Sequence, residues 1–174
     1  MDSVYFIQKT PRMIKNKVLF LDRDGVINHD PGDYTYSLDE FIILPTVLPA
    51  LQLAQKKGFQ IILITNQGGV AKGLYTQATV EEIHDYFRKV CAESGVHIAH
   101  IYYSIDHPEI GNSISRKPHS LMVERAIQRF NVDIENSVMI GDRDRDVQCA
   151  EGAGIRGIKI EVNSDLIDAI QTLN

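Results

Sequence analysis

Lys17-Val18-Leu19-Phe20-Leu21-Asp22-Arg23-Asp24-Gly25-Val26-Ile27-Asn28 is the stretch whose reading decides the fold. After Lys17 the run is apolar without alternation, as expected of a strand buried on both faces, and it stops abruptly at two carboxylates and a glycine. The same pattern of short apolar runs followed by polar turns recurs outward from it. Residues 60–64, 98–103, 137–140 and 155–160 read as further strands. Between them lie helical periods. Residues 47–57 carry apolar side chains at 47, 48, 50, 51 and 54, closed by Gly58. Residues 79–92 place Val80, Ile83, Phe87 and Val90 on one stripe, with Thr79 and Glu82 at capping-box spacing. Residues 120–130 and 144–151 complete the set, the latter ended by Gly152. Apolar strands alternating with helices predict a doubly wound, Rossmann-like α/β domain, a parallel sheet with helices on both faces. A single domain spanning 1–174 is expected, with 1–16 as an N-terminal extension and no sizeable cap domain.

Composition excludes several kinds of function. The chain of 174 residues has 18 Lys+Arg against 23 Asp+Glu, a net charge of −5, and is 44% apolar, enough for a core without staples. Basic residues are scattered singly, so there is no electrostatic footprint for a nucleic-acid backbone or an anionic membrane. The longest apolar runs, such as Ile61-Ile62-Leu63-Ile64, are far too short to span a bilayer, and the first residues lack a signal-peptide pattern. A cytoplasmic location is expected. The two cysteines, Cys91 and Cys149, sit on separate amphipathic stretches and read as reduced core residues. No coiled-coil pattern or large apolar stripe stands out, which favours a monomer.

In a doubly wound sheet, ligands bind beyond the carboxyl ends of the strands. Polar clusters stand at those ends: Asp22-Arg23-Asp24-Gly25, Thr65-Asn66-Gln67-Gly68-Gly69, Arg116-Lys117-Pro118 and Gly141-Asp142-Arg143-Asp144-Arg145-Asp146. Their residue types suit phosphoryl transfer. A carboxylate attacks a phosphomonoester dianion only where a metal and cations neutralise the crowded charge. Asp22 and Asp142 offer hard oxygen ligands suited to Mg²⁺, and Lys117 a fixed positive charge. Thr65 and Asn66 can donate to phosphoryl oxygens. Asp22 and Asp24 lie too close to share a role, so one attacks while the other, protonated part of the time, donates to the leaving oxygen and later activates water. Each cluster alone has a plainer reading as a turn, a cap or a solvated loop. A calcium loop starting at Asp142 fails, because Val147 replaces its glycine and Ala153 its glutamate. What carries the argument is the joint occurrence, in order, at strand ends.

The set Asp22-x-Asp24-Gly25-Val26, Thr65-Asn66-Gln67, Lys117-Pro118 and Gly141-Asp142-x-x-x-Asp146 resembles the haloacid dehalogenase superfamily of aspartate-nucleophile phosphatases, from about residue 18 to about 160. Within it, 22–28, 65–69, 71–76 and 116–118 are most similar to the D-glycero-D-manno-heptose 1,7-bisphosphate 7-phosphatases, with histidinol-phosphate phosphatases as nearest relatives. The resemblance implies an Mg²⁺-dependent phosphatase acting through an aspartyl-phosphate on a small sugar phosphate. It makes Asp22 nucleophile and metal ligand, and Asp24 the acid/base, its carbonyl on the metal. Asp142 completes the ligands, and Asp146 supports Lys117 or the metal shell. Asp30, Gly32 and Tyr34 match the loop that meets the sugar, with Asp33 inserted, while Thr65, Asn66, Gln67, Gly68 and Lys117 hold the substrate. Arg116 matches the arginine that reaches a distal phosphate.

One departure is large. The related groups usually carry a zinc loop, yet its cysteine and histidine positions here read Ser104-Ile105-Asp106 and Ser113-Ile114-Ser115. Hydroxyls do not replace thiolates on zinc, so no zinc and a compact turn are expected. His107 and Glu109 read as an exposed loop pair, and His84, His97 and His100 as surface or core-edge residues. Two alternatives stay open: histidinol-phosphate hydrolysis, and a catalytically silent phosphate-binding module. The presence of both Asp22 and Asp24 argues against the second.

Overall fold

The computed structural model describes residues 15–174, so most of the N-terminal extension expected from the sequence lies outside the described residues. Of that extension, Asn16 is seen to bridge Val132, fastening the chain just before the first strand. The strands are β1 (Val18–Leu21), β2 (Gln60–Asn66), β3 (Ile98–Ser104), β4 (Val138–Gly141) and β5 (Arg156–Lys159). The helices are α1 (Val47–Lys56), α2 (Gln77–Glu93), α3 (Leu121–Phe130), α4 (Asp144–Gly152) and α5 (Leu166–Gln171), with one 3-10 turn at Leu38–Glu40.

The strands form one sheet in the order β3-β2-β1-β4-β5, and every pairing is parallel. Apolar side chains alternate across it, as a pleat with period two requires. Leu19, Leu21, Ile61, Leu63, Val138 and Ile140 pack with α1, α2 and α5. Val18, Phe20, Ile62, Ile64 and Met139 pack with α3 and α4. The expected doubly wound α/β architecture is therefore observed, with no sizeable cap among the described residues. The chain winds outward from β1 to β3 on one side, then returns to β4 on the other. The crevice at the switch point thus opens beyond the carboxyl ends of β1, β2 and β4.

Local details differ from the sequence reading in instructive ways. Helix α2 starts earlier than the Thr79–Glu82 spacing suggests, because Thr76 is the N-cap and its hydroxyl accepts from Thr79 N–H at 3.1 Å. Its buried stripe runs Val80, Ile83, His84, Phe87 and Cys91, while Val90 is only half-buried. Gly58, with φ +86°, closes α1 in the left-handed conformation. Helix α5 and the 3-10 turn are too short to show a period and went unread. Both cysteines are free and buried. None of the described helices is long and apolar enough to cross a membrane.

His84 lies deeper than a core-edge residue. It is 2% exposed, its ring stands 5.2 Å from that of Tyr103, and Nε2 has no hydrogen-bond partner. Burial, reinforced by Arg23 and Arg88, pushes its pKa down to about 3. The unfolded chain takes up this proton near pH 6.5 and the folded chain does not, so the stability is present above that pH and lost as pH falls. Between pH 7 and 5 the wild type should lose about 2 kcal/mol more unfolding free energy than His84→Gln, measured by urea titration. Parallel losses in the two proteins would refute this.

Candidate active site

Asp22 stands one residue beyond β1 and extends its ladder, Asp22 N–H donating to Ile140 O at 3.0 Å. The chain then turns sharply. Ile27 N–H and Asn28 N–H both donate to Arg23 O, at 2.7 and 3.2 Å, and Gly25 takes φ +82°. A Cβ on Gly25 would come within 2.8 Å of Asp142 Oδ2, so glycine is needed both for the turn and for the approach of β4's carboxylate.

Lys117 enters from the loop before α3 and is fully desolvated. Its Nζ lies 2.7 Å from Asp22 Oδ1, 2.7 Å from Asp146 Oδ1 and 2.7 Å from Ile64 O. Burial disfavours the ammonium, but the two carboxylates outweigh it and raise its pKa. The Asn66 side chain fixes the Lys117 backbone, its amide donating to Lys117 O at 3.0 Å and its oxygen accepting from Lys117 N–H at 3.0 Å. Asn66 is therefore partly committed to Lys117, rather than wholly free for a phosphoryl group. Asp146 sits in the first turn of α4 and also accepts from Arg143 N–H at 2.9 Å, capping its own helix. Gly141 is required beneath it, since a Cβ there would run into the Asp146 side chain.

Asp22, Asp142 and Asp146 bring ligand oxygens within 4.8 Å of one another, all buried. Asp142 Oδ1 is buried with no hydrogen-bond partner; Arg143 Nε approaches Oδ2 at 2.8 Å without hydrogen-bond geometry. A buried carboxylate oxygen without a partner is costly. An all-oxygen, all-carboxylate set with such an orphan fits a hard divalent cation such as Mg²⁺. Burial raises the pKa of Asp142, against Arg143. Burial also lifts Asp22 to about 7, opposed by Lys117 and reinforced by Asp146 and Asp24.

Asp24 behaves differently. Burial favours its neutral form, yet Arg23 grips it, Nη2 at 2.8 Å from Oδ1, and Asn28 and Gln67 donate at 3.0 and 2.9 Å. Together they hold its carboxyl below the usual range. The sequence did not reveal that Arg23 turns inward and favours the ionised form of Asp24. Gln67 also donates to Thr65 Oγ1 at 2.9 Å, so Thr65 and Gln67 are buried orienting groups below the cavity floor.

Above this floor is a cavity of about 350 Å³. Asp24, Asp30, Gly32, Tyr34, Asn66, Gly68, Arg116 and Asp142 line it, whereas Asp22, Thr65, Gln67 and Lys117 do not. Asp30 is committed to Arg143, at 2.8 Å, and to Gly32 N–H, at 2.8 Å. The lining includes residues that received no role from the sequence: Arg143, Arg145 and Tyr75. Tyr75 packs edge-on against Tyr34 and Tyr36 at 6.0 and 6.3 Å, over Gly69, which has no Cβ to obstruct its ring. The alternating charges of 142–146 were the visible signal for the arginines. In the serine loop no donor set for zinc is assembled. Hydroxyls and one carboxylate bond to each other, and His107 Nδ1 accepts from Glu109 N–H at 3.2 Å.

A family model described as "HAD-hyrolase-like" matches residues 114–166. A D-glycero-D-manno-heptose-1,7-bisphosphate 7-phosphatase of Chlorobaculum tepidum is 42% identical over 155 residues, 83% of this chain and 78% of that protein. The D-glycero-beta-D-manno-heptose-1,7-bisphosphate 7-phosphatase of Escherichia coli K12 is 34% identical over 154 residues, 84% of this chain and 78% of that one. A crystal structure of D,D-heptose 1,7-bisphosphate phosphatase from B. bronchiseptica, complexed with magnesium and phosphate, superposes with TM-score 0.79 at 33% identity. It covers 91% of this chain and 88% of that one. Fold, site and relatives define a phosphatase of the haloacid dehalogenase-like class. Within that class, the chain belongs to the family of the D-glycero-D-manno-heptose-1,7-bisphosphate 7-phosphatases.

Because Lys117 neutralises two buried carboxylates, removing it should expose their full desolvation cost. Lys117→Met in EDTA is expected to lose about 3–5 kcal/mol of unfolding free energy, part of it regained in Lys117→Met/Asp146→Asn. Denaturant titration reads both, and a loss below about 1 kcal/mol would contradict the pairing.

Proposed function

We propose that this protein hydrolyses a phosphomonoester through an aspartyl-phosphate on Asp22, with Mg²⁺, and that its substrate is D-glycero-D-manno-heptose 1,7-bisphosphate, the 7-phosphate being removed. The observation that carries this is the buried Asp22–Lys117–Asp146 array, with Asp142 beside it, beneath a cavity lined by Arg116, Arg143 and Arg145. Asp22, Asp142 and the Asp24 carbonyl would hold the cation, with Asp146 at its edge. The cation supplies the positive charge that ionises Asp22 and screens it from the phosphate.

An Asp22 oxygen attacks phosphorus, and the bond from phosphorus to the sugar oxygen breaks. Asp24 gives that oxygen a proton. A dianionic phosphate beside Asp24 raises its proton affinity, the direction this step needs from a carboxyl otherwise held ionised by Arg23. Water then attacks the phosphorus of the acyl phosphate, Asp24 takes its proton, and Asp22 is released with inorganic phosphate. Lys117 keeps Asp22 aimed, and Asn66 and Gln67 hold Lys117 and Asp24 in place.

Two features favour a second phosphate over an amine. The cavity's cations include Arg116, Arg143 and Arg145, whose planar guanidinium groups suit bidentate phosphate contact, with Arg143 also paired to Asp30 and Arg116 held on a backbone carbonyl. Its carboxylates are largely committed, Asp30 to Arg143 and Asp33 to the Tyr36 hydroxyl at 2.6 Å. Histidinol phosphate, with its amino group, fits this lining less well.

Asp22→Asn should lower kcat by at least about 10³-fold while leaving the circular dichroism spectrum unchanged, and near-wild-type turnover would overturn the mechanism. EDTA should abolish phosphate release and Mg²⁺ alone restore it. Across sugar bisphosphates, sugar monophosphates and histidinol phosphate, kcat/KM should be highest for the heptose bisphosphate by at least about tenfold. Comparable rates across the panel would defeat the substrate assignment.

A further inference from the structure

The loop between β3 and α3 is closed by a hydrogen-bonded knot that the reaction scheme does not use. Asp106 Oδ2 accepts from Ser113 Oγ at 2.5 Å, Ser115 Oγ at 2.8 Å and Ser104 Oγ at 3.3 Å. The hydroxyls also meet one another, Ser113 with Ser115 at 2.8 Å and Ser104 with Ser115 at 3.3 Å. One carboxylate oxygen thereby gathers the end of β3 and the far limb of the loop. Hydrogen bonds to an ionised acceptor are the strong ones, and the serine donors hold this carboxyl below its usual range.

The same residue reaches the cavity through its backbone. Asp106 O accepts from Arg116 Nη1 at 2.9 Å, and Arg116 lines the cavity wall. Gly68 leaves room for this contact: a Cβ there would lie 3.0 Å from Arg116 Nη1 and 3.1 Å from Asp106 O. The near limb is tied to the segment after β2, where Ala71 N–H donates to Ile105 O at 3.2 Å and Lys72 pairs with Glu109 at 3.0 Å. Ser115 in the knot directly precedes Arg116 and Lys117 in sequence. The loop therefore approaches the site from both of its ends.

We propose that Asp106 is the positioning residue for Arg116, its serine knot fixing the loop so that the guanidinium stands ready for the substrate's second anionic group. This rests on the reading of the cavity as a bisphosphate site. An arginine on an untied loop would lose much of its rotamer freedom on binding; one held in place beforehand turns that saving into affinity. Because the tie is made of hydroxyls and a carboxylate, it needs no metal of its own.

Asp106→Ala and the near-isosteric Asp106→Asn test this, with sugar bisphosphate and p-nitrophenyl phosphate as substrates. In Asp106→Ala the KM for the bisphosphate should rise about tenfold with kcat within about twofold, and Asp106→Asn should fall between it and wild type. Hydrolysis of p-nitrophenyl phosphate, which has no second anion, should stay within about twofold. Adding Asp106→Ala to Arg116→Ala should lower bisphosphate kcat/KM by no more than about a further twofold. Amide exchange across 105–116 should quicken in Asp106→Ala, measured by mass spectrometry. Equal losses on both substrates, additivity with Arg116→Ala, or unchanged exchange would each overturn the proposal. Should Asp106→Ala not fold, Ser113→Ala carries the same readouts. If wild type does not hydrolyse the bisphosphate, the substrate reading falls, and the exchange measurement still decides whether Asp106 holds the loop.

Discussion

A single ammonium group, Lys117 Nζ, holds the site together. It lies 2.7 Å from the Asp22 carboxylate beyond β1, 2.7 Å from the Ile64 carbonyl in β2 and 2.7 Å from the Asp146 carboxylate in α4. Three elements meet on one desolvated cation. In water such pairs are worth little; with all three groups buried, loss of the lysine would leave two carboxylates desolvated and uncompensated. Much of the surrounding sequence is arranged around this contact. Asn66 clamps the lysine's backbone, Gly141 clears space for Asp146, and Gly25 lets Asp142 approach the turn that bears Asp22 and Asp24.

Local chemistry, not net charge, decides what this acidic chain can bind. The overall balance of −5 disfavours polyanions, yet the cavity presents Arg116, Arg143 and Arg145 above the carboxylates. The carboxylates themselves are differentiated by their neighbours. Burial raises the proton affinity of Asp22 and Asp142, whereas Arg23 overrides burial at Asp24. Two acids two positions apart in the chain thus differ because one faces a lysine shared with Asp146 and the other an arginine of its own.

What could be read from the sequence was whatever is encoded locally. Continuous apolar runs showed the strands, because burial on both faces leaves no alternation to confuse the pattern. Asp22 and Asp142 were readable because they terminate such runs. The contacts that were missed are those made across the fold. Asn66 and Lys117 are separated by 51 positions, and nothing in Thr65-Asn66-Gln67 shows that the asparagine serves a lysine backbone. Arg23 received no role from the sequence; in the fold it is buried, 5.7 Å from the Phe41 ring, and grips Asp24. The serines at 104, 113 and 115 were legible as a departure from zinc ligands, but their convergence on Asp106 required the loop's path.

The central claim is that Asp22 becomes covalently phosphorylated, and an acyl phosphate can be captured directly. Wild-type protein mixed with Mg²⁺ and heptose bisphosphate, quenched in acid within a turnover and treated with borohydride, would have its acyl phosphate reduced to an alcohol. Peptide mass spectrometry should then find homoserine at position 22, and none when Mg²⁺ is omitted. Unmodified Asp22 under conditions of active phosphate release, or homoserine at position 24 instead, would contradict the account.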